Sequence, residues 1–214
     1  MEVLSDSSVA AAGSSYDVGP NPTWVERAWY SSRNTKLTRT KYVVSGNFVI
    51  KKDAFDAVAG FEEKMVTDED TEISARLDQA GFCLMNAPEV RVVHLGNIRT
   101  LTQFIRKEAW HASGALDLVP LRGVDRAMMM TLSFMVLCVS SVVALPFLWH
   151  SPVKPLWILA APAVVPAVTA LYRCTRDEKY FYLFYLFVLY LLFYAVRSIV
   201  VTAALGRRAN VRRQ

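Results

Sequence analysis

Thr67-Asp68-Glu69-Asp70-Thr71-Glu72-Ile73, followed by Arg76-Leu77 and closed by Gly81, is the stretch that decides the fold of this 214-residue chain. Three carboxylates in a row repel one another unless something compensates. A helix N-terminus can, through its free N–H groups and the positive end of its dipole. Ile73, Leu77 and Ala80 recur at helical spacing and Gly81 follows as a C-cap, so a helix is predicted over 68–80 with the acids at its mouth. A carboxylate fixed there and facing a cleft can act as a general base. The plainer reading is that Asp68 and Asp70 cap the helix. Capping explains one acid well and three poorly.

Around this helix the pattern is α/β. Residues 1–22 are small and polar, read as a flexible segment ending in Gly19-Pro20-Asn21-Pro22, with a short strand at Val9–Gly13. A helix is predicted from Trp24 to Arg33, with Trp24, Val25, Ala28 and Trp29 on its apolar side. Tyr42 to Ile50 is rich in β-branched and aromatic residues and reads as a strand. Gly46 interrupts it, as a bulge or as a place where a ligand approaches the backbone. Lys52–Val58 reads as a short helix ended by Gly60. Strands are predicted at Phe82–Asn86 and Val90–Leu95, and a helix at Thr100–Ser113 with Leu101, Phe104, Ile105 and Ala109 on one side.

Beyond residue 126 the composition changes. Ala127–Trp149 contains no charge in 23 residues, enough to cross about 30 Å of hydrocarbon. Leu156–Tyr172 is a second uncharged run, with Pro162 and Pro166, which membranes tolerate. Tyr180–Val196 is a third and continues past Arg197 to Leu205, ahead of a basic tail at 206–214. Through Arg126 there are 15 Lys and Arg against 17 Asp and Glu, and afterwards 9 against 2. The pI of about 9.2 thus comes from the membrane-flanking part and gives no support to nucleic-acid binding. Mean hydropathy is +0.25. Arg173, Arg176 and Lys179 place the second loop, and with it the N-terminal domain, in the cytoplasm. Three simple spans then leave Arg207, Arg208, Arg212 and Arg213 outside, against that tendency, unless Arg197 divides the third segment into a span and an interfacial piece. Cys83, Cys138 and Cys174 have no paired spacing and are expected as free thiols. The opening residues lack the basic and apolar regions of a secretory signal.

Taken in order, Ser45-Gly46-Asn47-Phe48-Val49-Ile50-Lys51-Lys52, Phe55 with Val58-Ala59-Gly60-Phe61-Glu62-Glu63, Asp68-Glu69-Asp70-Thr71-Glu72-Ile73 with Arg76-Leu77 and Gly81, Pro88, Val92-Val93-His94, and Gln103 to Gly114 resemble family 2 glycosyltransferases. They match the C-terminal half of that family's catalytic domain over about 70 residues, and the apolar runs fit its membrane-bound members. The resemblance implies a partial GT-A domain over 23–126 followed by an all-α transmembrane region at about 127–149, 155–172 and 180–205. It implies inverting transfer from a nucleotide-sugar to a lipid-linked or polysaccharide acceptor, with a divalent metal, Mn²⁺ or Mg²⁺. Asp70 takes the role of general base, Glu69 shapes the acceptor site with Asp68, and His94 is a metal ligand. The alternative for His94 is a structural histidine. Gly46 and Asn47 lie beside the sugars. Gln103-Phe-Ile-Arg106-Lys107 resembles the Gln-x-x-Arg-Trp signature of processive synthases, with Lys in place of Trp. Trp110 or His111 then supplies a flat stacking surface. Arg106 and Lys107 either face phosphates or form the solvated side of the helix.

The family's nucleotide-binding βαβ units and Asp-x-Asp motif are expected to precede this region, so the metal site is incomplete in this chain. The chain reads as a truncated product, a start assigned too far downstream, or one half of a split enzyme whose other chain supplies the N-terminal half. Little activity is expected from it alone. A non-catalytic membrane subunit partnering another glycosyltransferase is the alternative. An inner (plasma) membrane location with the soluble domain cytoplasmic follows from the same reading.

Overall fold

The computed structural model describes residues 2–30, 36–148 and 155–211. The predicted ends at Arg33 and Trp149, and Arg212 and Arg213 of the basic tail, lie outside the described residues. The chain divides into two compact units, Met1–Leu101 with Pro120–Arg122, and Thr102–Val119 with Gly123–Gln214.

The first unit is built on β1 (Val9–Gly13), whose Val-Ala-Ala-Ala-Gly is buried throughout. Further strands are β2 (Asp17–Val18), β3 (Thr38–Thr40), β4 (Phe48–Ile50), β5 (Cys83–Asn86) and β6 (Val93–His94). The main sheet has the order β3-β5-β1-β4. β1 runs parallel to β5 and antiparallel to β4, and β3 runs antiparallel to β5. A strand paired on both edges and covered on both faces carries apolar residues without alternation. Residues 9–13 are therefore the middle of the sheet: the short strand expected within the N-terminal segment forms at the expected residues and is the central one.

Three helices attend the sheet: α1 (Trp24–Tyr30), α2 (Lys52–Ala57) and α3 (Glu69–Gln79). Ala10 and Ala11 share one core with Ile73 and Leu77 of α3, Val43, Ala54 and Leu84. The small β1 side chains let the larger residues of the helix come in close. Ala80, expected in that stripe, is exposed at the helix end, and Gly81 follows at φ 86° as the C-cap requires. Arg76 grips Glu72 through Nη2–Oε2 at 2.6 Å and also donates to the carbonyls of Val58 and Gly60. It thereby fastens the α2–α3 connection to α3. In α1 the buried set includes Glu26, whose carboxylate accepts from Thr23 N–H at 2.8 Å, a capping box that the apolar pattern did not reveal.

The expected strand Tyr42–Ile50 is corrected. Only Phe48–Ile50 pairs, and Ser45–Asn47 forms a 3₁₀ turn. The cause lies in α3. Val43 N–H donates to Ser74 Oγ at 3.3 Å and Ser45 N–H to Asp70 Oδ2 at 2.7 Å. With these donors taken by helix side chains, the segment has no ladder to join. Of the predicted 90–95 strand only Val93–His94 forms, after a 3₁₀ turn at Pro88–Val90.

The second unit is helical. It contains nearly all of α4 (Leu101–Gly114), then, after the short α5 (Val119–Arg122), α6 (Arg126–Leu148), α7 (Pro155–Ala160), α8 (Val164–Asp177) and α9 (Leu183–Val211). Three stretches, Arg126–Phe147, Trp157–Asp177 and Tyr180–Arg207, are long and apolar enough to cross a membrane. The middle one passes through a 3₁₀ turn at Ala161–Ala163, where Pro162 removes a donor. α9 runs unbroken through Arg197. Thr169 Oγ1 and Tyr194 Oη lie 3.0 Å apart between α8 and α9. The cysteines are free thiols.

The buried face of α4 also differs from expectation. It carries Phe104, Glu108 and Ala112, while Leu101 and Ile105 are exposed. A glutamate can occupy this stripe because Arg197 of α9 comes within 3.6 Å of its Oε2, both side chains being largely buried. The Arg197 guanidinium also lies 4.7 Å from the Phe193 ring centroid. Glu108→Leu or Arg197→Leu alone strands a buried charge and is expected to cost about 3–5 kcal/mol. The double variant is expected to recover most of this, as measured by thermal unfolding in lipid nanodiscs.

Candidate active site

Asp70 occupies the first turn of α3 and is only 8% exposed. Its Oδ2 accepts from Ser45 N–H at 2.7 Å and from Tyr42 Oη at 3.3 Å, and its Oδ1 accepts from Thr71 N–H at 2.7 Å. Ser45 opens the 3₁₀ turn, so its N–H has no acceptor within that turn. The carboxylate thus sits where two helical N-termini meet. A carboxylate has about four lone-pair positions, which leaves room for one further donor.

The other acids behave differently. Asp68 stands at the N-cap with φ 64° and makes no side-chain cap bond. Simple capping therefore does not account for the cluster. The Glu69 side chain is half-buried and makes no hydrogen bond or ion pair among the described residues.

Around Asp70 the structure gathers groups that are distant in sequence. A Cβ on Gly46 would lie 3.3 Å from Tyr16 Cε1 and 3.8 Å from His94 Cδ2. The bare Gly46 backbone thus lets the Tyr16 ring come close, with His94 beside it at ordinary contact distance, a purpose distinct from the expected strand bulge. Tyr16 and His94 have ring centroids 4.6 Å apart. Burial first, and then the Asp70 charge, push the Tyr16 hydroxyl above its usual value. Asn47 is buried, and its Nδ2 donates to Val90 O at 2.7 Å and Ser14 O at 3.5 Å. Its amide nitrogen holds the turn in place, so the expected sugar contact would fall to its remaining oxygen. Gly13 matters for the same reason: a side chain there would collide with Asn47 O and Val43 Cγ1.

His94 Nδ1 lies 2.9 Å from Asn97 Oδ1. An amide oxygen only accepts, so this contact is a hydrogen bond when Nδ1 carries the proton, the tautomer that in the neutral ring leaves the lone pair on Nε2. That is the form of a metal-binding imidazole. Among the described residues no three His, Cys, Asp or Glu side chains come together as a metal site. His94 fits as a single ligand.

Arg106, Lys107, Trp110 and His111 belong to the second unit. Arg106 and Trp110 are exposed, on the same side of α4 as Gln103. The Trp110 and His111 rings are 4.8 Å apart. One helical turn separates Arg106 from Trp110, which brings an indole to the guanidinium's face of the helix although Lys107 follows the arginine.

Tyr16, Tyr42 and Asn97 escaped the sequence reading. Tyr42 was legible only as a strand residue, and Tyr16 and Asn97 act through contacts that no local pattern encodes. Tyr42 is 38% exposed, with its hydroxyl against Asp70. Burial of that end and the Asp70 charge drive its ionisation well above the usual value. The unfolded chain then loses this proton first, so the stability it lends is present below about pH 10 and is lost as pH rises further. Alkaline titration should show a tyrosine component that ionises only with unfolding, and Tyr42→Phe should diminish that component.

Residues 25–203 match the family described as Glycosyl transferase family group 2. No curated protein and no solved structure matches the chain.

Proposed function

The chain belongs to glycosyl transferase family group 2, and on that footing we propose that Asp70 is the general base of an inverting sugar transfer. The observation that carries this reading is the Asp70 carboxylate itself. It is buried, fixed by Ser45 N–H and Tyr42 Oη, and set beside the Gly46 backbone near His94. In the proposed reaction an acceptor hydroxyl occupies the lone-pair position left open on Asp70. Its oxygen attacks the anomeric carbon of a nucleotide-sugar, its proton passes to Asp70, and the bond to the diphosphate breaks with the nucleotide leaving as diphosphate. Tyr42 keeps its proton and holds the carboxylate's orientation. Glu69 and Asp68 flank the acceptor.

His94 would hold a divalent ion, Mn²⁺ or Mg²⁺. Bound there, the ion would offset negative charge on the departing diphosphate. His94 is a single ligand, so the remaining ligands come from substrate or from groups outside this cluster, and the chain alone is expected to transfer sugar poorly. Arg106, Lys107 and Trp110 are proposed to meet phosphate and sugar along α4. The three apolar helices suit a lipid-linked or polysaccharide acceptor at an inner membrane, with the first unit cytoplasmic.

Asp70→Asn preserves the shape and one acceptor oxygen. Sugar transfer by membranes carrying the chain in its native setting is expected to fall about 10²-fold or more, with thermal stability checked alongside. Transfer at the wild-type rate would remove Asp70 as the base.

A further inference from the structure

His94 is gripped on three sides by residues that no motif assigned. Its Nδ1 side meets Asn97 Oδ1 at 2.9 Å. Tyr16 lies against its ring at an interplanar angle of 31°. Beneath it, a Cβ on Gly96 would come within 3.2 Å of Cε1, so a side chain at residue 96 would crowd the imidazole out of its present position. The backbone enforces this meeting. β2 pairs with β6 in parallel, with Val18 opposite His94 and Asp17 opposite Val93, and Asp17 N–H donates to Val92 O at 2.8 Å. This register delivers Tyr16, the residue before β2, to the imidazole. Tyr16 lies outside the matched residues 25–203.

Asn97 adds a second observation. The residue is 6% exposed, yet its Nδ2 has no hydrogen-bond partner among the described residues. Leaving such a buried donor unmet is costly, and an oxygen-bearing ligand beside His94 would meet it.

We propose that Tyr16, Gly96 and Asn97 are positioning residues that hold His94 as the Nδ1–H tautomer, with Nε2 open to a divalent cation and Asn97 Nδ2 ready for an oxygen beside it. The cation's part in sugar transfer rests on the function proposed above. The tautomer and the grip do not.

The chain contains three histidines, so nitrogen-15 histidine labelling of the full chain in nanodiscs gives three imidazole signatures, and His94→Gln assigns one. At mildly alkaline pH, wild-type His94 is expected to show Nδ1–H. Asn97→Ala is expected to release it toward the Nε2–H form. It should also weaken Mn²⁺ binding, read as broadening of the His94 signals, by about tenfold or more. Tyr16→Phe keeps the ring and should keep the wild-type spectrum and Mn²⁺ affinity, whereas Tyr16→Leu should lose both. An Nε2–H tautomer in the wild type would overturn the proposal without any variant, as would an unchanged tautomer in Asn97→Ala. A His94 with the expected tautomer that Mn²⁺ leaves untouched would overturn the cation site while leaving Asp70 as base unaffected.

Discussion

Two side chains one turn apart on α3, Asp70 and Ser74, take the backbone N–H groups of Ser45 and Val43, and the first unit is arranged around that grip. A buried hydrogen bond to a charged group contributes about 1.5–3 kcal/mol. An N–H deprived of its acceptor there would cost a similar amount. The grip pulls residues 43–47 out of the sheet and curls them into a turn. The turn then presses on the end of β1, which only Gly13 accommodates. It also exposes the Gly46 backbone to Tyr16 and His94. The constraint that shapes the fold is therefore the one that orients the candidate base.

The second unit follows the same rule with opposite polarity. Glu108 is buried in the stripe that α4 turns inward because Arg197 of α9 reaches it. A charge in an apolar span is costly alone and specific when paired. The pair sets the rotation of α4 and so leaves Gln103, Arg106 and Trp110 on its outer side.

What the sequence made legible was local. The α3 acids, the Gly81 cap, the short α2, the β5 segment and the apolar spans follow from spacing and composition over neighbouring residues. What stayed hidden was held by distant partners. Tyr42 to Ile50 has strand composition, but Asp70 and Ser74 claim its donors from more than 20 positions away in sequence. The face of α4 was misjudged because hydrophobic spacing assigns a glutamate to solvent unless its arginine is known. Val9–Gly13 was read as a strand but not as the central one, since burial on both faces depends on β4, β5 and α3 together. In the candidate site Asp70 and His94 were legible from their motifs. Tyr16, Tyr42 and Asn97 were not, because each acts through a ring contact or hydrogen bond to one of those two.

The function proposed for this chain is a single displacement in which the fixed Asp70 carboxylate takes the acceptor's proton. Its most direct test is stereochemical. The anomeric proton of the first product formed from an α-linked nucleotide-sugar can be followed by NMR in membranes carrying the chain in its native setting. The account predicts a β-linked product. An α-linked product would contradict it, because retention requires a different course in which a base at Asp70 has no single displacement to serve.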